Sequence, residues 1–104
     1  MRTLAAWLLL CLPVVADDLL VVTREGCPPC RQLKRDLLAK PEMYRPHSLS
    51  LVEGKAAMER HRVDMVPTII RIRDGREVAR RVGYSRPSDV TDWLKNTDRP
   101  YLTY

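Results

Sequence analysis

Leu19-Leu20-Val21-Val22-Thr23-Arg24-Glu25-Gly26-Cys27-Pro28-Pro29-Cys30-Arg31-Gln32-Leu33 decides how the rest of the chain is read. Leu19 to Thr23 is a short apolar run rich in β-branched residues, which predicts a buried strand. Arg24-Glu25-Gly26 breaks it. Cys27 then stands where a helix N-cap would, and Pro28 takes the first helical position, where a missing N–H costs nothing. Cys30, Leu33 and Leu37 recur on one face of the helix that follows. Pro41 disfavours helical geometry in the residue before it, so this helix is expected to stop near Lys40.

A cysteine at a helix start has a chemistry of its own. Unpaired N–H groups and the helix dipole stabilise a thiolate there and lower its pKa, which marks Cys27 as the attacking thiol. Cys30 lies three residues on, within disulfide reach but one turn into the helix, so it is shielded and can resolve a mixed disulfide by attacking Cys27. A structural zinc needs four ligands, and from Asp17 onward only His47 and His61 join these cysteines, at spacings that match no common zinc module. Neither metal nor cofactor is therefore expected, since in thiol–disulfide exchange the electrons reside on the two sulfurs. A metal-holding pair and an inert structural pair stay open as alternatives at this point.

The compartment is read from the other end of the sequence. Arg2 is followed by an apolar run from Leu4 to Val15, then Ala16 and the polar pair Asp17-Asp18, the pattern of a secretory signal peptide cleaved after Ala16. The run is too short for a comfortable membrane span, so no stable membrane insertion is expected after cleavage. Residues 1–16 are thus taken as leader and 17–104 as one domain. Cys11 leaves with the leader, and Cys27 and Cys30 are the two that stay. An exported domain ordinarily spaces its cysteines to close long loops, and this pair closes almost none, so its purpose is more chemical than structural.

Composition narrows the classes further. The 104 residues are 45% hydrophobic and 30% charged, a balance that folds. The formal charge is +5, but the 18 Lys and Arg are scattered and no basic stripe with interleaved aromatics occurs, so nucleic acid is not expected as a partner.

Downstream, Ser48 to Val52 alternates Leu49 and Leu51 with serines and predicts a second strand, followed by a short helix from Gly54 to about Arg62. Pro67 opens a third strand, Thr68 to Arg73. Asp74-Gly75 is a hairpin signal, and Arg76 to Val82 returns antiparallel. After Gly83, Pro87 starts a last helix with Val90, Trp93 and Leu94 on one face. The order βαβαββα predicts an α/β fold with a mixed sheet, parallel in its first part and flanked by helices on both faces. Leu33, Leu37, Trp93 and Leu94 are read as core. Arg71, Arg73, Arg76 and Arg80 are read as a solvated face and edge protection. His61 is read as structural and His47 as a surface loop residue.

Cys27-Pro28-Pro29-Cys30 after a strand, Val66-Pro67-Thr68 before the next sheet strand, the Asp74-Gly75 hairpin and Val82-Gly83 ahead of the final helix together resemble the thioredoxin-like superfamily, over Leu19 to Lys95. The resemblance implies that Pro67 is a cis-proline facing the Cys27–Cys30 redox-active disulfide. It also implies that Val66 offers its backbone to a bound substrate segment and that Gly83 keeps the adjoining groove open. The chain departs from the family in having Val21 where thioredoxins carry a buried acid and Gly26 where a Trp usually precedes the first cysteine. Glu25 and Glu53 are the candidates for the missing base. The N-terminal strand and helix of thioredoxins are lacking, as in glutaredoxins. Pro28-Pro29 matches neither the Gly-Pro of thioredoxins nor the Pro-Tyr of glutaredoxins.

The function expected is that of an exported thiol-disulfide oxidoreductase of the protein-disulfide reductase type, a monomer in the bacterial periplasm. It would exchange electrons with protein thiols and disulfides and with an as yet unidentified redox partner protein. The alternative is a thioredoxin-like binding or assembly module, including one that holds copper through the same cysteines.

Overall fold

The computed structural model describes residues 16–98. Residues 1–15, on which the expected leader falls, and the Tyr101 to Tyr104 tail lie outside the described residues. The elements run β1 (Asp18–Thr23), α1 (Pro28–Ala39), a 3-10 turn (Pro41–Met43), β2 (Ser48–Glu53), α2 (Lys55–Arg60), β3 (Thr68–Arg73), β4 (Arg76–Val82) and α3 (Pro87–Asn96). The sheet order is β2-β1-β3-β4, with β1 and β2 parallel and the other two pairings antiparallel. This is the α/β thioredoxin-like arrangement expected, a mixed four-stranded sheet between helices.

Each element follows from local chemistry. Cys27 is the N-cap of α1 and the two prolines occupy its first turn. Asp74 and Gly75 both adopt positive φ, 54° and 77°, which matches the right-handed twist of the two strands that they join. Asp89, in the first turn of α3, accepts backbone N–H bonds from Ser85 at 2.7 Å and Arg86 at 3.1 Å. Opposite Arg71 and Ile72 the pairing of β4 skips Val78, a bulge that blunts this edge of the sheet against further strand addition.

Two apolar layers form on the two faces of the sheet. Leu19, Val21 and Ile69 pack with Leu33 and Leu37 of α1, Val90 and Leu94 of α3, Met43 and Tyr84, with Trp93 against their margin. Val22 and Ile70 pack on the other face with Val63 and with Ala57 and Met58 of α2. Tyr84 adds a polar tie to the first layer. Its hydroxyl donates to Asp36 on α1, and this bond holds the Asp36 carboxyl below the usual carboxylate range while burial pushes the Tyr84 phenol up. The helix that carries the cysteines is thereby fastened to the segment entering α3.

Three details are set by the fold and not by local pattern. Leu51 alternates as a core residue should but stays half exposed, because β2 is an edge strand; the strand instead turns Leu49 and Val52 toward opposite layers. His47 is half-buried, and its Nδ1 accepts the backbone N–H of Asp17 at 3.0 Å.

The third concerns the arginines. Arg71 is not on a solvated face but is 1% exposed in a central strand. Its guanidinium bonds the Asp17 carboxylate, the Leu94 carbonyl at 2.9 Å, the Thr97 hydroxyl at 2.8 Å and the Asp98 carboxylate at 2.6 Å. Arg73 adds two bonds to Asp17, both 2.9 Å. A buried cation is tolerated only when paired and hydrogen-bonded, and here the partners come from both ends of the described chain. Arg80 is likewise engaged, as set out below, whereas Arg76 is exposed as expected.

Candidate active site

β1 ends at Thr23, and the chain turns through Arg24, Glu25 and Gly26 to deliver Cys27 to the start of α1. Cys27 and Cys30 are joined by a disulfide, with their Cα atoms 5.2 Å apart. Cys27 is 8% exposed and Cys30 1%, so the order of accessibility is the one expected, although Cys27 too is largely covered. The Cys30 N–H donates to the Cys27 sulfur at 3.2 Å. With prolines at the first two helical positions, this is the first N–H that the helix can offer the sulfur.

A second segment closes on the first from across the sheet. The Val66–Pro67 peptide is cis, and Pro67 is fully buried. The Val66 carbonyl oxygen lies 3.9 Å from the Cys27 sulfur. Gly83 donates its N–H to the Pro67 carbonyl at 2.8 Å, and its φ of +90° is one that L side chains rarely adopt. A Cβ placed there would meet nothing within 4 Å, so the space beside it is open. Cys27, Cys30, Val66, Pro67 and Gly83, scattered over the sequence, thus converge at one end of the sheet.

Sequence reasoning missed one member of this surface. Met65 stands immediately before Val66 and is 66% exposed, an apolar side chain held in water on the segment whose next carbonyl faces Cys27. Its carbonyl is fixed by the Thr68 hydroxyl at 2.6 Å.

Val21, where the family's acid would stand, is fully buried in the apolar layer. Of the two candidate bases, Glu53 is bound by Lys34 of α1 and by the Thr23 hydroxyl at 3.3 Å. The Lys34 ammonium holds the Glu53 carboxyl below the usual carboxylate range, so Glu53 is a fixed anion and a poor proton acceptor. Glu25 is exposed beside Gly26. Among the described residues no three His, Cys, Asp or Glu side chains cluster as metal ligands, and no helix is long and apolar enough to cross a membrane.

Comparison with known proteins gives the same picture. Trxlp from Edwardsiella tarda EIB202 is 33% identical, with 76% of this chain and 82% of that one covered and a TM-score of 0.62. Thioredoxin O2 from Arabidopsis thaliana, in its oxidised state, is 22% identical over 79% of this chain and 75% of that one, with a TM-score of 0.62. Thioredoxin from Trypanosoma brucei brucei is 19% identical over 78% and 74%, with a TM-score of 0.65. The last two share the fold. The sequence profile of the thioredoxin-like domain family matches residues 18–98, from the first strand through the end of α3, and this chain belongs to that family.

Proposed function

We propose that this chain is an exported protein-disulfide reductase that works as a monomer in the bacterial periplasm. The observation that carries the reading is the Cys27–Cys30 disulfide at a helix start, with the Val66 carbonyl 3.9 Å from the Cys27 sulfur and open space beside Gly83. An extended partner segment can pair with the Val66 backbone there and bring its own sulfur to Cys27, while Met65 offers it apolar contact.

The chemistry balances on sulfur alone. The Cys27 thiolate attacks one sulfur of the partner's disulfide; a mixed disulfide forms, and the partner's other sulfur leaves as a thiolate that takes up a proton. Cys30 then loses its proton and attacks the Cys27 sulfur. This releases the partner's second thiol and leaves Cys27–Cys30 oxidised, with two electrons transferred. A dithiol redox partner protein must reduce the pair before the next cycle.

The expected potential lies in the reducing or middle part of the range that such dithiols span, roughly −270 to −120 mV. A strong oxidant is made by stabilising the reduced thiolate, and Pro28 and Pro29 remove two N–H groups that would do so. Equilibrating the domain that begins at Asp17 with glutathione mixtures, and following its turnover of insulin disulfides, tests both points. A potential near −120 mV would make the protein a disulfide donor instead.

Export rests on the leader pattern and on a structural contrast at its end: Ala16 is exposed, whereas Asp17 is buried in its bonds to Arg71 and Arg73. Cleavage after Ala16 keeps that cluster whole. The protein recovered from the periplasm of an expressing bacterium is expected to begin at Asp17; an intact Met1 in the membrane fraction would show the segment to be a retained anchor.

A further inference from the structure

The loop that brings Val66 to Cys27 begins where α2 ends, and that end is held by a side chain from the far edge of the sheet. Arg80 of β4 donates from Nη1 to the Arg62 carbonyl at 2.9 Å and from Nη2 to the His61 carbonyl at 3.0 Å. These carbonyls stand at the helix terminus, where carbonyls run short of helical partners. Its guanidinium is aimed by Glu77, whose two carboxylate oxygens accept from Nε and Nη2, both at 2.7 Å. Arg80 pairs with Ile70 in the sheet register and so projects to the α2 face, which is why it reaches this turn.

The turn needs holding. Arg62 has φ of 55°, in the left-handed region that is unfavourable for a residue with a Cβ. Four residues later comes Val66. The same loop is tied at its other end by the Gly83 N–H to the Pro67 carbonyl, and Gly83 lies three residues after Arg80. β4 and the residue that follows it therefore fasten the loop at both ends.

We propose that Arg80, aimed by Glu77, is a positioning residue for partner recognition, because it sets where the Val63–Pro67 loop presents the Val66 backbone to a polypeptide bound at Cys27. It touches neither sulfur, so thiol chemistry itself should not depend on it. The proposal rests on the reductase reading given above.

The test separates the two. Arg80→Ala should raise KM for insulin disulfides on the order of tenfold with kcat little changed, since small displacements of a positioning element weaken binding geometry strongly. Reduction of its Cys27–Cys30 disulfide by dithiothreitol, and its reduction potential, should match wild type. Arg80→Lys, which keeps the charge but not the fork, should fall between. Glu77→Gln retains Arg80 and should raise KM about threefold; it carries the test should Arg80→Ala not fold. KM within twofold of wild type in the folded variants, with only thermal stability lowered, would overturn the proposal and reduce Arg80 to a structural role. Wild-type protein that exchanges with dithiothreitol but does not turn over insulin would overturn the reductase reading, and this proposal with it.

Discussion

Cys27→Ser is expected to abolish disulfide reduction, lowering turnover by at least about three orders of magnitude, because the variant has no sulfur at the position that attacks. Cys30→Ser should fail differently. It keeps the attacking thiol but loses the resolving one, so a partner stays bound as a mixed disulfide that non-reducing gels resolve and dithiothreitol releases. The asymmetry follows from placement: Cys27 caps the helix, accepts the Cys30 N–H and retains the greater accessibility, while Cys30 is sealed beneath it. In the reduced protein, alkylation near neutral pH should therefore modify Cys27 first. Faster labelling of Cys30, or equal trapping by both variants, would reverse the assignment.

Arg71→Ala should be the most damaging single change away from the disulfide, at about 3–5 kcal/mol, a large part of a small domain's whole stability. It leaves a cavity in a central strand, a Leu94 carbonyl without its guanidinium donor and a buried Asp17 carboxylate with Arg73 as its remaining cation. Chemical denaturation measures the loss, and a change under about 1 kcal/mol would show the cluster to be incidental. Its pH dependence has a definite sign. The hydrogen bond from Arg73, together with the bond and charge of Arg71, holds the Asp17 carboxyl below its ordinary value despite the opposing effect of burial. A carboxyl with a lowered folded-state pKa contributes stability that is fully present above its unfolded pKa, about 4, and is lost as pH falls below it. Wild-type protein should thus lose stability on acidification below about pH 4, and Asp17→Asn should flatten that part of the profile while lowering stability at neutral pH. Superimposable profiles would remove Asp17 from the account.

The difference between these two predictions shows what could be read from the chain and what could not. Cys27 and its helix were legible because their determinants lie within a few residues of each other: an apolar strand, a break at Gly26, a cap, two prolines and a periodic Cys30, Leu33, Leu37 face. The Asp74-Gly75 turn was legible for the same reason, since its signal sits in the two residues that adopt the positive φ. Pro67 and Gly83 were reached by resemblance, and the fold then brought them to the disulfide. Arg71 is misread because alternation of Ile70, Arg71 and Ile72 is also the pattern of a half-solvated strand.

What reverses the reading is supplied from elsewhere in the chain. Asp17, 54 residues away, and the end of α3 neutralise and bond Arg71; the end of α2 receives Arg80. Leu51 shows the converse, an apolar residue in an alternating run left half exposed because its strand lies at the edge of the sheet. By itself the sequence determined the order of elements, the cysteine-bearing helix start and the class of chemistry, all of which depend on short-range propensity and spacing. Only the tertiary structure decided which charges are buried and which backbone segment faces the sulfur, because burying a charge depends on partners that the local sequence does not contain.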